Sequence, residues 1–578
     1  MSIADFSGRS RLDACPGALQ VHAAADGGLA RVRVPGGRLT PFQLRELAEA
    51  AAAYGGGVIE LTSRANVQVR GLGPEDPDSG TGDGTGNGFA ARMARAGLLP
   101  SATHERIRNI LASPLTGLDG PAGSSGPTGP SGSSGSSGSS EPGGSSRLSG
   151  PTGPSEPGEP GGADAPGRTN GPDHPDGGGI ADVTPLIGEL DRRLCARPAL
   201  ASLPGRFMFA LDDGRGDVAG LGADAGVLLT GPDEAALILA GTDTGLRVPL
   251  AGAVTALLAT AEAFLDELAT RDVTAWRIAE LPDGPALIAA RVRTALGVPG
   301  TTPFVPVRPR VVSLGPVGVI GSTDGTGSET GAGGETGPAS GTGDDTRDGV
   351  GNGNGNGTGA GGARVALGVA IPLGRLTSAL ALLLADAASG GEIRLTPWRG
   401  VVLPGLDRSE VAGTAARLEA AGLVVDPASP WIGVTACTGR PGCAKSLADV
   451  QADAAAAIAI ATTTATAAAV GTTSPPAVPP PAPSTTAPPT AVQPGRERSG
   501  SGPSAAPPSA PPSGSGPGTD TLPVHWAGCG RRCGRPRGRV ADVVATGDGY
   551  RLELDGTELT CSGIEDTAAA LAAARGEL

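Results

Sequence analysis

Two stretches decide the fold: Ile59 to Leu72 reads IELTSRANVQVRGL, Ile393 to Leu406 reads IRLTPWRGVVLPGL, and one lies on the other without a gap. Ile59 meets Ile393, Leu61 meets Leu395, Thr62 meets Thr396, and Gly71-Leu72 meets Gly405-Leu406. Upstream, Gly37-Arg38-Leu39-Thr40 matches Gly374-Arg375-Leu376-Thr377 and opens a helical run in both copies. Downstream, ARMARAGLL from Ala91 matches ARLEAAGLV from Ala416, an amphipathic helix followed by a turn. Chance similarity in an alanine-rich chain seldom preserves order, spacing and turn glycines together, so the chain is read as an internal duplication. Each copy predicts strand, helix, strand, helix.

Working outward, a hairpin precedes each copy. LQVHAAADGGLARVRV predicts one with Asp26-Gly27-Gly28 as its turn. In the second copy VGVIG, ending at Gly321, and ARVALGV, starting at Ala363, predict the two strands, with a Gly/Thr tract in place of the tip. A tip tolerates this because lengthening a flexible loop costs free energy only logarithmically. The chain has 578 residues, with 97 glycines and 54 prolines concentrated in low-complexity stretches. These are 119–178, 322–362 and 462–521, with a shorter one at 73–88, and each is expected to be a disordered surface loop or tether.

Aromatic residues make up only 2% of the chain, so its cores must be built from Ala, Val, Leu and Ile, which suits helices covering sheets and an α+β or α/β class. The formal net charge is −14 and no folded stretch carries a basic stripe, which argues against a nucleic-acid partner. The polar first residues do not read as a secretory signal, and the Ala/Thr run from Ala454 to Val470 lacks the apolar weight of a membrane span. No membrane partner and a cytoplasmic location are the expectations. That Ala/Thr run is read as a helix end entering a linker.

Seven cysteines in a reducing compartment are not expected to form disulfides, so a close group of them points to metal or redox chemistry. Cys437 and Cys443 stand as C-x5-C in TACTGRPGCAKS, and Cys529 and Cys533 as C-x3-C in HWAGCGRRCGRP. Thiolates on short Gly- and Pro-containing loops suit a cubane cluster, whose sulfurs need backbone N–H groups close by. Structural zinc is the rival, although it usually takes tighter pairs such as C-x2-C. Cys195, in a helical pattern, and Cys561, in a strand-like one, are read as packing residues. Cys15, before Pro16, is read either as redox-active or as a turn residue.

Arg64, Asn66, Gln68 and Arg70 alternate in TSRANVQVR, so on a single strand they would share one face opposite Ala65, Val67 and Val69. Arg108 and Asn109, in RIRNIL, and Arg206, in LPGRFMF, add planar donors suited to carboxylates. A solvated strand with surface arginines is the other reading of these residues. No Gly-rich loop of the dinucleotide-binding kind occurs, and GNGNGNG is low complexity, so reducing equivalents must come from a separate donor.

C-x5-C followed much later by G-C-x3-C resembles the cluster motif of the nitrite/sulfite reductase superfamily. T-x-R-x-N-x-Q and R-N before an apolar run look like its tetrapyrrole-binding segments. The early Cys15-Pro16-Gly17, GGLARVRVPGGRL and CTGRPGCAKSLADVQADA are similar, within that superfamily, to precorrin-3B synthases of aerobic cobalamin synthesis. The resemblance implies an internally duplicated fold of two ferredoxin-like half domains plus two α/β lobes, interrupted by the inserts. The expected boundaries are 1–118 for the first ferredoxin-like repeat and the start of its lobe, 179–305 for the first α/β lobe, 306–430 for the second repeat and 431–578 for a cluster-binding lobe. Ser113 stands where Cys437 stands in the other copy, so only the second lobe is expected to hold a cluster.

The same resemblance implies a 4Fe-4S cluster on Cys437, Cys443, Cys529 and Cys533, with Cys533 nearest a second centre. Arg64, Asn66, Gln68, Arg70, Arg108, Asn109 and Arg206 would bind the tetrapyrrole. Reductases of the family place two lysines after a Leu-Pro turn, whereas the corresponding positions here are Arg206 and Met208, and Lys445 is the only lysine in the sequence. The implied reaction is oxygen-dependent conversion of precorrin-3A to precorrin-3B, a hydroxylation with γ-lactone formation. Its partners would be precorrin-3A, O2 and an electron donor, either a ferredoxin or an NAD(P)H reductase. A mononuclear non-haem iron would have to draw on His22, His104 and His525. Of these, His525 is read either as an iron ligand or as a hydrogen-bond donor beside the cluster. Two alternatives follow: a sirohaem-dependent sulfite or nitrite reductase, and a non-enzymatic iron–sulfur electron-transfer protein.

Overall fold

The structure is a computed structural model that describes residues 13–73, 88–118, 178–298, 306–309, 311–321, 364–470 and 521–576, with side chains of the 450–470 helix described to 463. The expected inserts fall mostly outside these residues. The chain forms two compact units, Met1–Val425 and Asp426–Leu578.

The first unit begins with β1 (His22–Ala24), β2 (Gly27–Val32), β3 (Arg38–Leu39), α1 (Pro41–Tyr54), β4 (Val58–Leu61), β5 (Val67–Leu72) and α2 (Phe89–Arg95). Its second repeat is β11 (Gly318–Ile320), β12 (Arg364–Ala370), β13 (Arg375–Thr377), α6 (Ser378–Ala387), β14 (Ile393–Leu395), β15 (Gly400–Asp407) and α7 (Val411–Ala420). The turn of the first hairpin is Ala25-Asp26, because Ala24 pairs with Gly27, one step earlier than the sequence reading. As expected, β11 pairs antiparallel with β12.

The expected single strand over residues 59–72 is instead a hairpin, so each repeat reads strand, helix, hairpin, helix. The cause is a tight turn that both copies share. Thr62 N donates to Asn66 O and Asn66 N to Thr62 Oγ1, and Thr396 with Gly400 makes the same two bonds. Ala65 (φ 52°) and Arg399 (φ 61°) occupy the left-handed position of this turn at equivalent sites.

The repeats also exchange strands. The first sheet runs β1-β2-β5-β4-β13 and the second β11-β12-β15-β14-β3, so each Gly-Arg-Leu-Thr strand completes the other copy's sheet. Leu39 faces Ile393 and Leu376 faces Ile59, an exchange symmetric to the residue. Gly37 permits the crossing: its φ is +70°, and a Cβ there would lie 2.2 Å from Leu395 O. Thr40 then caps α1 through a capping box with Gln43, and Thr377 caps α6. Leu47, Ile59, Val69, Leu376, Leu384 and Ile393 are buried in one core spanning both sheets. Each such side chain contributes about 1.5–3 kcal/mol.

Between the repeats lies the first lobe: β6 (Ile110–Ala112), α3 (Thr184–Cys195), β7 (Phe209–Asp212), β8 (Ala225–Gly231), β9 (Glu234–Leu239), β10 (Thr242–Pro249), α4 (Ala253–Arg271) and α5 (Gly284–Ala295). The second unit has β16 (Val434–Ala436), α8 (Val450–Val470), β17 (Val524–Ala527), β18 (Ala541–Ala545), β19 (Tyr550–Leu554), β20 (Thr557–Cys561) and α9 (Ile564–Arg575). Both lobes have three parallel strands followed by two antiparallel ones, β6-β7-β8-β9-β10 and β16-β17-β18-β19-β20. Helix α8 runs to Val470, well into the stretch read as linker, because alanine keeps helix propensity high where the composition reads as low complexity.

Candidate metal centre and arginine cluster

In the second unit the two cysteine pairs come together. Cys437 follows β16 and Cys529 follows β17, and these strands are parallel neighbours, so both loops leave the same edge of the sheet. Cys437 N donates to Trp526 O, Leu447 N donates to Gly528 O at 2.8 Å, and Gly528 N donates to the Cys437 sulfur at 3.2 Å. Arg535 clamps Asp542 of β18 with two bonds of 3.0 and 2.8 Å, and Arg532 reaches Glu553 of β19, which holds the Cys529–Cys533 turn on the sheet. Burial pushes the Cys533 thiol up, and the charges of Cys437, Cys529 and Cys443 push it further, as is expected of four thiols sharing one neighbourhood.

Among the described residues, Asp212, Asp213 and Asp217 are the one group of three or more candidate ligand residues whose atoms lie within 4.8 Å of one another. The soft donor set of four cysteines and the backbone N–H donor on Cys437 fit a cubane body.

His525 sits on β17 and is fully buried, with Nδ1 3.0 Å from Thr435 Oγ1. Thr435 spends its own proton on Val524 O, so the ring donates to Thr435 through Nδ1–H. His104 is engaged at both nitrogens, by Ser101 and Thr103 and by Arg197 O. His22 is exposed on an edge strand. Cys561 ends β20 and is buried, whereas Cys195 ends α3 half-buried beside Arg108 and Asp191.

The first lobe repeats the cluster lobe's hydrogen bonds without cysteines. Ser113 N donates to Leu211 O and Asp213 N donates to Ser113 Oγ at 3.2 Å, the same pattern as Cys437 with Trp526 and Gly528. Here Asp212 takes the N–H groups of Gly214, Gly216, Val218 and Ala219, while Asp217 accepts from Ser113 Oγ at 2.6 Å. Burial raises Asp217 well above the ordinary carboxyl range, with the charge of Asp212 adding to it.

The seven residues expected to bind a tetrapyrrole divide into three pairs and Gln68, which accepts from Arg31 Nη2 and donates to Glu60. Arg64 and Asn66 lie in the turn before β5, not on a strand, so the expected four-residue face is reduced to Gln68 and Arg70 alternating with buried Val67 and Val69. Asn66 is buried, accepting from Val34 N and donating to Asn109 Oδ1, and Asn109 donates to Gly205 O and Phe207 O. These two asparagines tie the hairpin to the lobe. Arg70 is bound bidentately by Asp26 and Arg108 by Asp191, at 2.6 and 2.7 Å. Met208 is buried.

Arg64 and Arg206 instead join Arg31 and Arg33, two residues that the sequence analysis passed over. Arg31 lies in β2 and Arg33 directly follows it, alternating with Ala30 and Val32, and ARVRV carried the signal, since arginines at every second place in an extended apolar stretch share one face. Arg33 is buried, donating to Arg106 O at 2.9 Å and Gly205 O at 3.3 Å. Burial, then the charge of Arg31, lowers its pKa to about 9. Burial and Arg277 lower Arg64 to about 10. Arg33 Nη1 and Arg31 Nε are buried without hydrogen-bond partners. Orphaned charged donors are costly, and a ligand carboxylate would satisfy them.

No helix among the described residues is long and apolar enough to cross a membrane. Residues 22–78 and 358–421 match the nitrite/sulfite reductase ferredoxin-like half domain, the two repeats described above. A ferredoxin–nitrite reductase of Leptolyngbya laminosa is 38% identical over 92 residues, 15% of this chain and 16% of that protein. A precorrin-3B synthase of a Sinorhizobium species is 44% identical over 62 residues, 11% of this chain and 14% of that protein. The matches thus span about a sixth of these relatives' lengths. The structure of Mycobacterium tuberculosis NirA protein superposes with a TM-score of 0.53 at 16% identity, over 92% of this chain and 77% of that one, a likeness of fold alone. The two repeats therefore match the nitrite/sulfite reductase ferredoxin-like half domain, and the chain shares the duplicated fold of the NirA protein.

Proposed function

We propose that this protein is an oxidoreductase that converts precorrin-3A to precorrin-3B by oxygen-dependent hydroxylation and γ-lactone formation, using a 4Fe-4S cluster. The observation that carries the reading is the convergence of Cys437, Cys443, Cys529 and Cys533 on one sheet edge, with Gly528 N donating to a ligand sulfur. When bound, the cluster would pass single electrons from a separate ferredoxin or reductase toward oxygen activation.

The chain's own residues would bind and orient. Arg31, Arg33, Arg64 and Arg206 would pair with the carboxylates of the tetrapyrrole, and buried guanidiniums held by carbonyl oxygens keep their geometry before the ligand arrives. Asn66 and Asn109 would fix the turn that carries Arg64. Arg70 and Arg108, already paired with Asp26 and Asp191, would brace the surrounding fold rather than bind the ligand. His525 would orient through Thr435.

The second reading is a sirohaem reductase of nitrite or sulfite, favoured by the relatives named ferredoxin–nitrite reductase. Buried Met208 beside Arg206 speaks against it, because a thioether adds no charge for a small anion. Anaerobically isolated protein is to be mixed with precorrin-3A, a reductant and O2. A tetrapyrrole product one oxygen heavier supports the synthase. Sirohaem already bound, with turnover of nitrite or sulfite, overturns it.

A further inference from the structure

The arginine cluster of the first unit holds a carboxylate of its own. Arg31, Arg33, Arg64 and Arg206 act on one another electrostatically, yet the partners the fold gives Arg31 and Arg33 are neutral: Gln68 Oε1 and the carbonyls of Arg106 and Gly205. Such a group of donors would attract any anion. Three nearby carboxylates are turned to other work: Glu60 to Gln68, Glu105 to the N–H groups of Ala18 and Leu19, and Asp224, whose charge reaches Arg64, to Arg277 and the N–H groups of Met208 and Ile278.

Asp13 is directed at one of these guanidiniums, that of Arg206, and its charge also reaches Arg31. Its side chain is 6% exposed and its Oδ1 lies 3.5 Å from Arg206 Nε, while Arg206 stacks on Trp276 at 4.8 Å. Arg106 Nη1 donates to Asp13 O at 3.3 Å, and Asp13 Oδ2 is buried with no hydrogen-bond partner. Close packing fixes this placement. A Cβ on Gly205 would lie 2.9 Å from Cys15 Cβ and 3.3 Å from Asp13 Oδ2, so Asp13 and Cys15 press on the turn that carries Arg206. Cys15 remains a neutral thiol, raised by burial and then by Asp13, so it adds no second negative charge and is unsuited to redox attack.

We propose that Asp13 is a specificity residue that fills the position in the arginine cluster where a lone oxyanion would settle, so that the cluster admits a polycarboxylate and rejects small inorganic anions. A polycarboxylate reaches Arg31, Arg33 and Arg64 around Asp13 and gains from several attachments at once, whereas phosphate or sulfite meets the Asp13 charge at its single point of contact. The proposal deepens the tetrapyrrole reading, and its test needs no turnover.

The test is equilibrium titration of the full chain with inorganic phosphate, with sulfite, and with uroporphyrin as the polycarboxylate probe. Wild type should bind uroporphyrin and take phosphate or sulfite poorly. Asp13→Asn should gain about tenfold or more in affinity for both small anions. Asp13→Glu, which keeps the charge, should keep the exclusion, and Arg31→Gln added to Asp13→Asn should erase the gain. Should Asp13→Asn fold poorly, Asp13→Ser serves the same comparison. Wild type binding phosphate as tightly as Asp13→Asn, or uroporphyrin affinity lost with no gain for small anions, overturns the proposal. If wild type ignores uroporphyrin while Asp13→Asn still gains phosphate, the role of Asp13 stands and the tetrapyrrole reading falls.

Discussion

Gly528 lies so close to Ser446 that a Cβ at position 528 would fall 1.8 Å from Ser446 Oγ. This contact locks the Cys437–Cys443 loop against the Cys529–Cys533 loop, with the Leu447–Gly528 hydrogen bond beside it. Gly528→Ala must therefore part the loops and remove the N–H donor from Cys437. Iron and acid-labile sulfide should be lost from Gly528→Ala while circular dichroism stays near wild type; full retention of both elements would show that the loops are not so coupled.

Ligand and non-ligand cysteines should separate cleanly. Cys529→Ser is expected to abolish cluster absorption, whereas Cys195→Ser, at the end of α3 in the other unit, should leave it unchanged. Equal effects on the visible spectrum would remove the ligand assignment.

Arginines that the fold has already paired should behave differently from those it has not. Arg33→Gln should weaken uroporphyrin binding about tenfold or more, because a buried charge-assisted donor is lost. Arg108→Gln should instead lower stability by about 2–3 kcal/mol, since it leaves Asp191 without its bidentate partner, and should change affinity little. Urea melts and porphyrin titrations of both variants distinguish the two effects, and a reversed pattern would contradict the division.

Strand exchange couples the two repeats. Leu39 and Leu376 are both buried, so replacing either by alanine should cost about 2–4 kcal/mol and destabilise both sheets in one transition. Hydrogen exchange confined to one sheet would argue against coupling.

The first lobe should be less stable where Asp217 is ionised. Burial raises the native pKa of Asp217 above its unfolded value, so the native state holds the extra proton, and stability falls as pH rises from the unfolded carboxyl value through the native one. Asp217→Asn, which keeps an acceptor for Ser113, should raise Tm at neutral pH by about 2–4 °C. It should also flatten the acid side of the pH profile in a calorimetric scan; a lower Tm across all pH would show that the carboxylate is needed charged.

Much of this was legible in the residues. The duplication, the hairpin formed by Gly318–Ile320 with Arg364–Ala370, and the cysteine loops followed from spacing and turn chemistry. The strand exchange was not, because Arg38–Leu39 and Arg375–Thr377 are too short to carry a period, and pairing across 300 residues leaves no local trace. The hairpin at Thr62–Asn66 was hidden because polar and apolar residues go on alternating through a turn held by Thr62 Oγ1. Arg70 and Arg108 looked available because their carboxylate partners, Asp26 and Asp191, lie 44 and 83 residues away. Asp13 gave no signal, since its role depends on packing against Gly205.

The most direct measurement is metal and acid-labile sulfide analysis of the anaerobically isolated full chain, with Cys437→Ser beside it. About four irons and about four sulfides per chain, both lost in the variant, are the expected result. One tightly held zinc with no sulfide would contradict the account at its base.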